Sequence, residues 1–166
     1  LVVDKLFPAV PGVQILIMSD SAFATLQATA LTARCHNPYF RQKQLKSLHD
    51  VLRRNATAIR DAVKQDSSTS DADASTEVAL ALNVVKDHYA TIDPEQALKD
   101  EYRIANNQDA GDAREPWGVV YIEPLQSHTP FFSAMSALSA ALAAGNCVAL
   151  KVSIYFRTSF SQDLMH

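Results

Sequence analysis

The sequence predicts an α/β fold, with a helical N-terminal region followed by the start of a parallel sheet. Three observations predict it. Apolar residues recur at spacings of three and four through much of 20–89, as in helices that bury one face. Two short apolar, β-branched runs, 117–122 and 147–151, stand downstream and read as strands. Between them an alanine-rich stretch opens at Pro130 and closes at Gly145, the bracketing of a helix. Strand, helix and strand in that order make a βαβ unit, which implies parallel strands and a right-handed crossover.

The elements follow in order. Residues 1–19 read as an arm laid on the domain, and 20–166 as the domain. The arm is apolar over 7–18 but interrupted by Pro8, Pro11 and Gly12, and it lacks a clear basic segment and cleavage site of a signal peptide. Asp20 is placed to cap a first helix, with Phe23, Leu26, Ala30 and Ala33 on one face and Arg34 in the last turn, where a cation suits the dipole. Asn37 and Pro38 supply the cap and first position of a second. Along it run Leu45, Leu48, Leu52, Ala56, Ile59 and Val63, one continuous stripe; Arg41, Lys43, Lys46, Arg53, Arg54, Arg60 and Lys64 form its solvated face. Residues 66–74 read as a loop. Their aspartates lack calcium-loop spacing and the glycine that such a turn needs. Asp73 or Ser75 then caps a third helix that buries Val78, Leu82, Val85 and Tyr89 and leaves His88 on its surface. Pro94 and Glu95 mark a break or a new turn, 101–105 a short strand, and 106–113 a turn near Gly111. In the βαβ unit, Pro124 ends the first strand. Phe131, Met135, Leu138 and Leu142 line the helix, whose alanines let it lie close to the sheet, and Gly145 is its C-cap.

Composition bounds the function. A hydrophobic content of 48% supports a sizeable core, and a net charge of −3 from 15 basic and 18 acidic residues gives no basis for a nucleic-acid partner or an anionic membrane. No segment is long and apolar enough to span a bilayer; the strongest, 131–144, ends in Gly145 and Asn146. Cys35 and Cys147 show neither metal-ligand spacing nor a disulfide framework. No metal site is predicted, and the thiols are expected to be unbridged in a reducing, cytoplasmic setting.

In a βαβ unit, ligands collect beyond the carboxyl ends of the strands. That selects two places: the loop 123–129 with the helix start that follows, whose free N–H groups suit an anion or oxyanion, and the segment from Lys151 onward. Neither the G-x-G-x-x-G fingerprint nor a P-loop is present.

Three blocks carry a resemblance. Glu115-Pro116-Trp117-Gly118-Val119-Val120 looks like the E-P-x-G-V-V strand of aldehyde dehydrogenases. Pro130 looks like the proline that opens the family's next helix. Ala143-Ala144-Gly145-Asn146-Cys147-Val148-Ala149-Leu150-Lys151 is close to A-A-G-N-x-V-V-L-K. The spacing fits with one extra loop residue. Gln44-Leu45 with Leu48, and Asp66 followed by Glu77, agree with the family's N-terminal helices. The class acting on fatty or aromatic aldehydes looks nearest, and the resemblance covers roughly 20–153. It implies that the βαβ unit opens a Rossmann-like cofactor domain.

By the same resemblance, Lys151 contacts the adenosine ribose of NAD or NADP, and Ser153 belongs to the same motif. Val152 stands where proline is frequent, and Ile154 where the ribose-binding glutamate belongs. Cofactor binding is therefore expected to be weak or absent. The family's oxyanion hole uses an asparagine side chain shortly before the helix proline. Counting back from Lys151 puts His128 there, and counting forward from Gly118 puts Ser127 there, so this position is degenerate in either alignment. The family's nucleophilic cysteine, general-base glutamate and pyrophosphate turn lie further along than His166. The resemblance thus implies an oxidoreductase scaffold for NAD(P)-dependent oxidation of an aldehyde to a carboxylic acid, truncated before the catalytic domain and inactive as this isolated chain. A small aldehyde is a ligand only if a catalytic domain is supplied. The alternatives are a non-catalytic assembly fragment, forming a homo-oligomer or joining a full-length relative, and a gene remnant.

Overall fold

The computed structural model describes residues 13–14, 20–109, 111, 115–124 and 129–151. Along them run β1 (Val13–Gln14), α1 (Asp20–Leu31), a 3-10 turn (Arg34–His36), α2 (Pro38–Arg54), α3 (Ala56–Ser67), α4 (Asp71–Ala90), α5 (Pro94–Ala105), β2 (Val119–Ile122), α6 (Pro130–Ala143) and β3 (Cys147–Leu150).

Helix starts follow side chains that can take orphan amide protons. Asn37 Oδ1 accepts from Tyr39 and Phe40 N–H at 2.9 and 3.2 Å, with Pro38 in the first position, as predicted. Asp93 Oδ1 does the same for Glu95 and Gln96 at 3.0 Å. That cap, with Pro94 behind it, makes 94–105 one helix, so the predicted strand 101–105 is helical instead. Ser70, rather than Asp73 or Ser75, caps α4 by accepting from Asp73 N–H at 3.1 Å. The predicted loop 66–74 shrinks to 68–70, because Ser68 takes a left-handed φ of 50° and turns the chain within a few residues.

The long second helix divides. Asn55 leaves helical geometry at φ −104°, ψ 13°, and its Nδ2 donates to Val51 O at 2.8 Å, a local bond that competes with the helical ladder. The apolar stripe survives the break, with Leu45, Leu48, Leu52, Ile59 and Val63 buried in one core. α1 stops at Leu31, and Ala33 has φ 55°, so Arg34 lies in the 3-10 turn, its guanidinium 4.8 Å from the Phe40 ring centroid. Phe23 and Tyr89 are exposed; the buried residues of α4 are Ala74, Glu77, Val78, Ala81 and Val85. His88 is half-buried rather than on the surface. Its Nδ1 is hydrogen-bonded to Ser139 Oγ on α6 at 2.8 Å.

The sheet has order β1-β3-β2 and is parallel throughout. β2 and β3 are the predicted strands, with the predicted helix between them. Val13–Gln14, inside the stretch read as an arm, adds a third strand. Pairing runs from Val119↔Cys147 to Ile122↔Leu150. Alternation then sends Val120, Ile122, Val148 and Leu150 into the core shared with α6, and Val119, Cys147 and Ala149 toward Leu26 of α1. Every residue of β3 is buried, as expected of a central strand covered on both faces. Beyond the sheet, α6 packs along α4, which also meets α2 and α3.

α6 ends in a Schellman motif. Gly145 N–H donates to Leu142 O and Asn146 N–H to Ala141 O, both at 3.0 Å. Gly145 has φ +84°, and a Cβ there would lie 2.8 Å from Cys35 O. Only glycine fits this close approach.

Candidate functional site

The in-register parallel pairing of Ile122 with Leu150 sets the next residues, Glu123 and Lys151, side by side at the carboxyl edge of the sheet. Lys151 N–H continues the ladder to Ile122 O at 2.9 Å. Its Nζ meets Glu123 Oε1 at 2.5 Å, and both side chains are half-exposed. Tyr121 Oη donates to Glu123 Oε2 at 3.4 Å. The hydrogen bond to Lys151, then its charge, holds the Glu123 carboxyl below its ordinary range. The same bond raises the Lys151 ammonium above its own. A cation and a carboxylate thus face solvent together where ligands of parallel α/β sheets collect. They can share a vicinal diol, the ammonium donating and the carboxylate accepting.

The helix start at Pro130, which the other predicted place includes, has a different occupant. Thr129 precedes α6 with φ 47° and makes no side-chain cap. Glu77, buried on α4, reaches across instead and accepts from Phe132 N–H at 3.0 Å. A carboxylate at a helix N-terminus is stabilised by the dipole, so the chain's own side chain takes part of the anion site that Pro130 suggested. Ser127, His128 and Ser153 lie outside the described residues.

The two motif blocks are joined structurally. Asn146 Oδ1 accepts from Gly118 N–H at 3.1 Å, and Gly118 O accepts from Cys147 N–H at 2.8 Å. Gly118 itself has φ +109°. These two glycines and this asparagine hold the crossover together. The sequence places Glu123 only as the first residue of the loop 123–129 and not as a partner of Lys151, although strand register supplies the signal: in a parallel pair, the residues that follow matched strand ends lie abreast. Glu77 offered no such signal, because its role depends on how α4 meets α6.

Neither cysteine has the setting of a nucleophile. Cys35 and Cys147 are buried with Sγ atoms 3.8 Å apart. Burial first, then the neighbouring Cys35, push the Cys147 thiol up to about 11. An attacking thiolate needs the opposite, exposure and a lowered pKa.

Comparison with known proteins identifies the scaffold. The family model described as the aldehyde dehydrogenase family matches residues 19–160. The chain is 32% identical over 133 residues to cattle (Bos taurus) aldehyde dehydrogenase family 3 member B1, an alignment covering 77% of this chain and 28% of that protein. The chain therefore spans a little over a quarter of the length of this relative. No solved structure matches it. With the family match running through α1, the βαβ unit and Lys151, the chain belongs to the aldehyde dehydrogenase family.

Proposed function

We propose that this chain forms the opening part of a nicotinamide-dinucleotide scaffold of aldehyde dehydrogenase type, and that alone it does not turn over. The observation that carries this reading is the Lys151–Glu123 pair at the carboxyl edge of two parallel strands. The donor set fits the sugar end of a dinucleotide: Lys151 donates to ribose hydroxyls, and Glu123 accepts from them. In this reading Glu123 supplies a carboxylate near the lysine although position 154 is isoleucine. A carboxylate there also disfavours a 2′-phosphate through like-charge repulsion, so NAD is preferred over NADP.

The phosphate end fits less well. The N-terminus of α6 is already engaged by Glu77, which repels a second anion. Binding is accordingly weak, with a dissociation constant no tighter than about millimolar, or about 4 kcal/mol. When bound to a complete enzyme, such a dinucleotide accepts hydride during oxidation of an aldehyde. This chain's residues hold and orient its sugar. A reducing, cytoplasmic setting belongs to the same reading.

Ligand-observed NMR tests the proposal. Saturation transfer to the adenosine protons of NAD is expected with the native chain and lost in both Lys151→Ala and Glu123→Gln. Transfer that is equal in all three proteins overturns the assignment. A micromolar affinity would instead overturn the weak-binding part of the reading.

A second reading rests on exposed apolar surface. Leu98, Tyr102 and Ile104 on α5 are more than half exposed, and Trp117 before β2 is 96% exposed. This favours association with another copy or with a longer relative, which covers these residues. Crosslinking of the chain with a co-expressed full-length relative distinguishes that role from a solitary one.

A further inference from the structure

Cys35 and Cys147 are 112 positions apart in sequence, yet their Sγ atoms are 3.8 Å apart. Both side chains are buried, at 5% and 0% exposure, and both are free. Core cysteines often pack as small apolar groups. These two differ in touching each other, and the approach is held from several sides. The Cys35 carbonyl oxygen lies only 2.8 Å from where a Cβ on Gly145 would be, so the 3-10 turn is seated on the residues that lead into β3. Arg41 Nη1 donates to Ala143 O at 2.8 Å and ties α2 to the end of α6. Cys147 N–H is bonded to Gly118 O at 2.8 Å. Leu26, with half-buried Ala30, Phe40 and Val119, walls the pair. A disulfide needs its sulfurs at about 2.05 Å, so closure asks for about 1.8 Å of sulfur motion.

We propose that Cys35 and Cys147 form a reversible intramolecular disulfide, a redox-sensitive staple between the 3-10 turn and β3, made by exchange with a low-molecular-weight disulfide such as oxidised glutathione. Cys35, the less buried thiol, attacks first, when local opening of the short 3-10 turn that carries it admits the reagent. Its proton is lost, its sulfur bonds to one sulfur of the reagent, and the other leaves and is protonated as a thiol. Cys147 then loses its proton and attacks Cys35 Sγ, and the second reagent thiol leaves. Two protein thiols are oxidised, and one reagent disulfide is reduced to two thiols. The high position of the Cys147 thiol, from burial and the neighbouring Cys35, makes the second step slow at neutral pH. Closure accelerates about tenfold per pH unit as the thiolate fraction grows. The bridge fixes the strand whose end carries Lys151.

The test uses the full chain, which has only these two cysteines. After incubation with oxidised glutathione at alkaline pH, the protein is unfolded and treated with iodoacetamide. Intact mass should show no added alkyl group in the bridged monomer and two after dithiothreitol. The thermal midpoint of the oxidised form should rise by roughly 5–15 °C, and dithiothreitol should reverse the rise. In Cys147→Ser, one glutathione should remain on Cys35. If that variant does not fold, the native-chain mass and melting data decide alone. Two alkyl groups after prolonged oxidation, bridges found only between chains, or an unchanged or lower midpoint would each overturn the proposal.

Discussion

Gly145 meets two demands at once: a left-handed φ and a neighbour's carbonyl where a side chain would begin. Gly145→Ala is expected to destabilise the fold by about 2–4 kcal/mol, combining backbone strain with overpacking; urea unfolding measures it, and a loss below 0.5 kcal/mol would contradict the contact. Glu77 makes a subtler prediction. Glu77→Ala strips the partner from Phe132 N–H and should cost about 1–3 kcal/mol, whereas Glu77→Gln keeps an acceptor and should cost less. Equal losses for the two variants would mean that the hydrogen bond is not what matters. At the sheet edge, Glu123 has its pKa lowered by Lys151. Its stabilising contribution is therefore present above the ordinary carboxylate range and is lost as pH falls through the lowered folded value. Lys151, with its pKa raised, contributes below the ordinary lysine range and loses that contribution as pH rises through the raised folded value. Carbon-13 NMR of the Glu123 carboxyl should titrate lower in the native chain than in Lys151→Ala. Both groups are solvent-facing, so the effect on stability is small.

α5 and α6 differ sharply although both open with proline. α6 buries Ala134, Met135, Leu138, Ser139, Ala141 and Leu142, whereas α5 buries no residue. Leu138→Ala should cost about 2–5 kcal/mol and Leu98→Ala less than about 0.5. Amide exchange should run faster in α5 than in α6; equal protection would place α5 in the cooperative core. The same contrast explains what was legible in the sequence. The βαβ unit could be read because Pro130, the alanines and Gly145 are local signals, and strand register follows from them. α5 also had local signals, Asp93 before Pro94 and Leu98 four residues before Tyr102, but nothing among the described residues buries the apolar face they define. The break at Asn55 and the single helix before it look alike in sequence, since the apolar spacing passes through both. His88 joined to Ser139 and Glu77 joined to Phe132 depend on two helices brought together over 51 and 55 positions, which no local pattern encodes. Of the candidate site, Lys151 could be found from the strand end, and Glu123 only by carrying the register one step further.

At the scale of the molecule, the described strands form an open parallel sheet. Among the described residues the order is β1-β3-β2, which leaves β2 at an edge, and Trp117 beside it is almost fully exposed. Edge strands with apolar neighbours pair with other chains, so sedimentation should show concentration-dependent self-association; a concentration-independent monomer would count against it. The purified chain should also produce no NADH or NADPH above background with medium-chain or aromatic aldehydes. Both thiols are buried, and Cys147 is shifted away from the thiolate. Turnover that disappears in Cys35→Ala or Cys147→Ala would make that cysteine a nucleophile after all. The pairing of Val13 with Val148 has a consequence for how the chain is born. β1 leaves the ribosome before β3 and must wait for a partner made 135 residues later, roughly 7–27 s at ~5–20 residues per second. Throughout that interval the nascent segment lacks its β3 partner, so β1 docks as a late event of synthesis, after the helices between have had time to close.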